Sequence, residues 1–312
     1  MYRIRFHGRG GQGIKTANQI LGSAFFLQGF EVQDAPRYGA ERRGAPIFAY
    51  LRASRAPIHE RGDITRPDLV VVADESLIPV PASGVLQGVS AHTVLLINSA
   101  DAGELWKSRL NLEGPVIALA VPAGGMEHPE LPYPYYIGAA CAGAAARLTG
   151  ALAREHLAQS IREELARYGP ATVEKNLEHA LSAFDGMGAE AGRVTEGAEI
   201  SALDYRRPEW IELPLEDARI SAPNIHAGAT SELARTGVWR SFRPVIDYGL
   251  CNRCSWVCST LCPDGAIRVE PDHLPRIEYD QCKGCLICIT VCPPHAISAV
   301  PEREARSTEG TP

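Results

Sequence analysis

Nine cysteines occur in 312 residues, and eight of them fall between Cys251 and Cys292. They form two copies of one unit. Cys251 and Cys254 recur 31 positions later as Cys282 and Cys285, whereas Cys258, Cys262 and Ile267 recur 30 positions later as Cys288, Cys292 and Ile297. The change of offset places one additional residue in the first copy, within Ser255-Trp256-Val257. So dense a set of thiols constrains this end of the chain more than any other feature, because the backbone must wrap whatever the thiols bind. A disulfide framework suits short exported chains. The opening residues, MYRIRFHGRG, show no apolar signal-peptide core after their basic residues. Reduced, metal-binding thiols in the cytoplasm are the expectation.

The second copy reads C-x2-C-x2-C-x3-C-P, the spacing of bacterial two-cluster ferredoxins, in which the fourth cysteine ligates the other cluster. A 4Fe–4S cube offers four iron corners to four soft thiolates. Three close cysteines wrap one cube in a tight turn. The fourth is carried off by a helical turn toward the second cube, and the proline after it ends that turn. The expected sets are Cys251, Cys254, Cys258 and Cys292 for one cluster, and Cys282, Cys285, Cys288 and Cys262 for the other. Zinc is the competing reading, but a zinc site draws on two separated pairs and has no use for a third thiol in each group. The added residue either bulges outward or alters the potential or lability of the first cluster. Trp256 either shields that cluster from water or packs without a special role. Between the copies, Ile267 and Val269 lead into a turn and Ile277 and Tyr279 lead out, a short hairpin pattern.

At the other end, Tyr2, Ile4 and Phe6 alternate with basic residues, a glycine cluster follows, and a helical pattern begins at Ile14. Gly8-Arg9-Gly10-Gly11-Gln12-Gly13 satisfies G-x-G-x-x-G, a candidate phosphate or dinucleotide loop at a helix N-terminus. An NAD(P) site would take Glu31 or Asp34 as its acidic residue. The other reading is a tight turn for close strand–helix packing. PIFAYLRAS, PDLVVVADE, TVLLIN and PVIALAVPAG read as further strands; Tyr136–Thr149, Arg154–Tyr168 and Thr172–Phe184 read as helices. Strands alternating with helices predict an α/β domain with a parallel sheet covered on both faces. Cys141 is expected to be a small buried residue of an Ala-rich helix. The expected organisation is an α/β domain over 1–185, a connecting arm over 186–238 lying on a partner, a small α+β two-cluster ferredoxin domain over 239–300 and a tail over 301–312. A formal net charge of −6 argues against a nucleic-acid binder. No apolar run of about 18 residues predicts a membrane span.

RFHGRGGQGIKTANQIL with YGAERRGAP resembles the gamma subunit of the 2-oxoacid:ferredoxin oxidoreductases, and TGVWRSFRPVID before the cysteine repeat resembles their delta subunit. The resemblance covers roughly residues 1–185 and 236–300 and implies a gamma–delta fusion. In that family thiamine diphosphate and magnesium, held by alpha and beta subunits, act on the 2-oxoacid. Carbon dioxide leaves, electrons pass singly through 4Fe–4S clusters to ferredoxin, and in most members coenzyme A takes the acyl group. No Gly-Asp-Gly followed by a distal asparagine occurs here, so no residue that breaks the C–C bond is expected in this chain. By resemblance its gamma part caps the active site and helps receive coenzyme A; Gly8 to Gly13, with Arg9, Arg42 and Arg43, either meet its phosphates or dock the gamma fold onto its partners. Its delta part carries electrons out. The substrate stays open among pyruvate, another 2-oxoacid, and oxalate, whose oxidation needs no acyl acceptor and would leave the glycine loop structural. The alternative is a stand-alone NAD(P)-linked iron–sulfur protein using the same loop. That chemistry needs a flavin to split hydride into single electrons, and no second dinucleotide fingerprint is present.

Overall fold

Apolar residues at alternate positions make Tyr2–Arg9 a strand, and its pairing organises the first of two units. The computed structural model describes residues 1–36, 44–121, 136–198, 235–302 and 304–305, divided into Met1–Glu199 and Ile200–Pro312. The first unit contains β1 (Tyr2–Arg9), α1 (Ile14–Leu27), β2 (Glu31–Pro36), β3 (Pro46–Ser54), β4 (Leu69–Val72), β5 (Val94–Asn98), α2 (Gly103–Leu110), β6 (Val116–Leu119), α3 (Ile137–Thr149), α4 (Arg154–Leu165) and α5 (Pro170–Gly186). The strand order is β2-β3-β1-β4-β5-β6.

The sheet is mostly parallel, as expected, with one antiparallel strand. β1, β4, β5 and β6 run parallel, but β3 is antiparallel to both β1 and β2. The stretch between Pro36 and Pro46 is too short for the crossover that a parallel return requires. The hydrophobic runs of β4 and β5 are buried on both faces, as parallel strands are. Ile4, Phe6, Leu51 and Leu69 face a core shared with α1, α3, α4 and α5. Val70, Val72, Leu95 and Ile97 face a second, smaller core with Leu77 and Val85.

β1 buries its basic face too. Arg3, Arg5, His7 and Arg9 are each about 3% exposed. Glu60 takes Arg3 at 2.6 Å, and Arg5 donates to the carbonyls of Ile64 and Val85. His7 Nδ1 lies 3.0 Å from the Ser83 carbonyl, and burial pushes its imidazole down to about 3, so the ring stays neutral and donates.

Cys141 is buried in α3, and desolvation pushes its thiol up to about 12. α3 crosses α5 so closely that a Cβ at Gly143 would stand 2.0 Å from the Ala180 carbonyl oxygen. The obstacle is backbone, so no rotamer relieves it. Gly143→Val is expected to destabilise the first unit by about 1–3 kcal/mol, read as a lower urea midpoint of its helical circular dichroism.

The first unit continues past the expected boundary at residue 185. Val194 is buried, its N–H donates to the Leu148 carbonyl at 2.9 Å, and Glu196 pairs with the N-terminal amine. Residues 186–198 therefore pack on this unit. Of the rest of the expected arm, residues 199–234 lie outside the described residues, as do Arg42 and Arg43, while its end enters a short 3-10 helix, Thr236–Trp239, of the second unit.

The second unit contains β7 (Phe242–Ile246), α6 (Val257–Thr260), β8 (Ile267–Val269), β9 (Pro275–Ile277), α7 (Ile287–Thr290) and β10 (Ile297–Pro301). β8 and β9 form the short hairpin, and β7 pairs with β10. The expected tail does not begin at 301: Pro301 completes β10 and Glu302 is buried. Among the described residues no helix is long and apolar enough to cross a membrane.

Candidate iron–sulfur centres

The duplication reaches further upstream than the cysteines. Pro244, Ile246 and Tyr248 recur 31 positions later as Pro275, Ile277 and Tyr279. The fold uses each pair reciprocally. β7, before the first copy, pairs with β10, after the second, matching Ile246 to Ile297; β9, before the second, pairs with β8, after the first, matching Ile277 to Ile267. The Tyr248 hydroxyl donates to the Pro275 carbonyl and the Tyr279 hydroxyl to the Pro244 carbonyl, both at 3.0 Å. Each half is thus closed by the other. Sequence reasoning placed Tyr279 only in the hairpin and missed Tyr248, although the shared offset of 31 was there to pair them.

Each copy winds into a single helical turn, α6 or α7, entered through a left-handed cap: Trp256 at φ 49° and Leu286 at φ 65°. Leu286 follows Cys285 directly, whereas Ser255 stands between Cys254 and Trp256. The additional residue is therefore Ser255, and it is exposed, an outward bulge. After the turns the copies match again. Cys262 Sγ accepts the Ala266 N–H and Cys292 Sγ the Ala296 N–H, each at 3.3 Å.

One cavity is lined by Cys251, Cys254, Cys258 and Cys292 together with Ile246, Trp256 and Ile297. Three of these thiols come from the first copy and one from the second. After its own burial, the groups that push the Cys288 thiol up are, in order, the thiols of Cys282, Cys285 and Cys262, with Cys258 last, and Cys262 pushes Cys282 up as well. Cys262 of the first copy therefore stands with the second. Burial pushes the Cys258 and Cys282 thiols up, and Cys288 up to about 12. Thiolates at such positions need a strongly bound cation to exist at neutral pH. Among the described residues no three His, Cys, Asp or Glu side chains converge as ligands of a single ion. Four soft thiolates around one cavity are the donor set that a cubane cluster takes, one to each iron corner.

Trp256 lines the first cavity. Its Nε1 donates to the His273 carbonyl at 3.2 Å and its ring stacks on His273. Two buried arginines grip Glu302. Arg240 Nε lies 2.6 Å and Arg243 Nη2 2.8 Å from its carboxylate, all three side chains being at most 9% exposed. Arg240 Nη1 also donates to the Tyr279 and Cys282 carbonyls, at 2.6 and 2.7 Å. Trp239-Arg240-x-x-Arg243-Pro244 is thereby explained as a clamp. It joins β7, the end of β10 and the loop of Cys282. Gly284, at φ 68°, lies under Arg240, where a Cβ would stand 2.4 Å from the Phe242 carbonyl oxygen. Lys283 and Asp264 form an ion pair beside Cys282 and Cys262.

The glycine loop leads from β1 into α1. Gly11 and Gly13 take φ of 99° and 72°, and a Cβ at Gly8 would stand 2.4 Å from Ile14. Gly10 exchanges backbone hydrogen bonds with the 44–45 segment. Gln12 Oε1 accepts the Arg9 N–H at 2.7 Å, and its Nε2 donates to Asp74 at 3.1 Å. Arg9 donates to Asp74, to the Gly44 carbonyl and to Ser76 Oγ. The start of α3 lies against the loop, since a Cβ at Gly138 would stand 2.6 Å from the Gly13 carbonyl oxygen. Asp34, the candidate acid of a dinucleotide site, accepts from Asn18 of α1.

Residues 3–186 match the family described as pyruvate ferredoxin/flavodoxin oxidoreductase, and residues 275–298 match the 4Fe-4S binding domain. The chain is 38% identical over 185 residues to the pyruvate/ketoisovalerate oxidoreductases common subunit gamma of Thermococcus kodakarensis, covering 59% of this chain and 96% of that protein. It is 35% identical over 188 residues to the pyruvate synthase subunit PorC of Methanothermobacter marburgensis, covering 60% and 98%. The crystal structure of the pyruvate oxidoreductase subunit PORC of Thermotoga maritima aligns at 29% identity and a TM-score of 0.47, over 59% of this chain and 95% of that one.

Proposed function

We propose, from the premise that the chain belongs to the pyruvate ferredoxin/flavodoxin oxidoreductase family, that it is a fused gamma–delta subunit whose cysteine unit conducts electrons away from a reaction carried out on partner chains. The gamma-type part and the 4Fe–4S domain follow from the two family matches. Two clusters in crossed ligand sets are supported by the cavity that gathers Cys251, Cys254 and Cys258 with Cys292, the observation that carries the reading. When bound, such clusters accept and release one electron at a time.

The chain's own residues supply the rest. Eight cysteines hold the two centres, and Trp256 and the paired isoleucines exclude water from one of them. The reciprocal tyrosines fix the distance between the halves. Thiamine diphosphate and magnesium belong on alpha and beta partners, ferredoxin is the acceptor, and the substrate is pyruvate or a related 2-oxoacid, with oxalate the variant that dispenses with coenzyme A. The internal engagement of Arg9 and Gln12 favours a glycine loop that shapes the surface of the gamma fold over one that grips phosphate, and it weakens the NAD(P) alternative.

Purified together with its partner chains, the protein is expected to support ferredoxin reduction that depends on a 2-oxoacid. Purified alone, it is expected to show no turnover and no bleaching of its visible absorbance by NADH. Direct bleaching by NADH would replace this reading with the NAD(P)-linked one.

A further inference from the structure

We propose that the cations of Arg240 and Lys283, the latter opposed by Asp264, set the two centres at different potentials, making the one held by Cys262, Cys282, Cys285 and Cys288 the more easily reduced. This rests on the ligand sets proposed above. The internal symmetry makes each half the control for the other. The N–H bonds to Cys262 and Cys292 are equal at 3.3 Å, so that contribution cancels. Several charged positions do not cancel; in the first half Arg253 lines the cavity, but it is exposed and screened by water, and its counterpart is Gly284. The counterpart of Arg240, 31 positions on, is the exposed Pro271; the counterpart of Lys283 is Asn252; and that of Asp264, 30 positions on, is Pro294.

Arg240 is 4% exposed. Its Nη1 edge donates to the Cys282 carbonyl while its Nε and Nη2 edge faces Glu302. The cation therefore sits between the cysteine loop and its own counter-ion. Lys283 is the residue next to Cys282. One-electron reduction adds a unit of negative charge and breaks no bond. A cation held nearby in a medium of low dielectric stabilises that charge. Water acts in the same direction, because Cys285 is exposed whereas its counterpart Cys254 is half-buried in the cavity that Trp256 lines. The added electron accordingly rests on the side where Cys285 meets solvent.

Redox titration of the full chain, followed by electron paramagnetic resonance, tests this. Lys283→Gln leaves the Asp264 carboxylate without its cation and is expected to lower the higher of two midpoint potentials by about tenfold in the reduction equilibrium, about 59 mV for one electron. Asp264→Asn is expected to raise the same potential. The lower potential is expected to hold its place in both variants. Opposite signs from the two halves of one ion pair are not what mere loosening of the fold produces, and Asp264→Asn carries the test if Lys283→Gln fails to assemble. Shifts of the same sign, shifts confined to the lower potential, or no shift overturn the proposal. Absence of iron from the unmodified chain instead overturns the ligand assignment on which it rests.

Discussion

Cys292→Ser and Cys251→Ser are expected to leave the same surviving cluster, although the two residues belong to different copies of the repeat. Cys262→Ser and Cys282→Ser are expected to leave the other. Each variant should fall from about eight to about four irons per chain, and the paramagnetic resonance spectra of the four should sort into two identical pairs. The reason is geometric. Cys292 lines one cavity with Cys251, Cys254 and Cys258, and Cys262 influences the thiols of the second copy. If each copy served its own cluster, Cys292→Ser would instead match Cys282→Ser. Serine is the conservative choice because it keeps the size of the side chain while removing the soft donor that iron prefers.

The second large effect is expected at Glu302. Glu302→Ala leaves two guanidinium groups, both under 7% exposed, without the carboxylate they share. Breaking a buried ion pair from one side costs about 3–5 kcal/mol. The clamp ties β7 to the loop of Cys282, so the loss should fall on the cysteine unit. The visible cluster absorbance is expected to disappear at a much lower temperature than in the parent chain, while the helical signal of the first unit melts unchanged. An unaltered cluster melting temperature would show that the clamp adds little.

The parts of this molecule that a reader could take from the sequence are those where chemistry dictates spacing. Cysteines that wrap a cluster repeat because the cluster's geometry repeats, and the hairpin from Ile267 to Ile277 is legible because its strands alternate. The position of the additional residue needed backbone angles: three candidates became Ser255 only once Trp256 and Leu286 were seen as equivalent caps. Arg240 and Arg243 stood out in the sequence as a motif, but their shared partner Glu302 is about sixty positions away, and no local pattern announces it. Arg9 shows the same difficulty. A guanidinium beside a glycine loop suits phosphate equally well on paper, and only the fold reveals that Asp74, 65 positions on, occupies it. The antiparallel course of β3 was hidden for another reason: a strand's sequence records how deeply it is buried and not which way its neighbours run.

The most direct test is the metal content of the full chain purified without oxygen. Iron and acid-labile sulfide are expected at about eight each per chain, with a reduced sample giving the overlapping, mutually broadened resonance of two nearby cubane centres. Zinc in place of iron, or a single isolated signal with about four irons, would contradict the account.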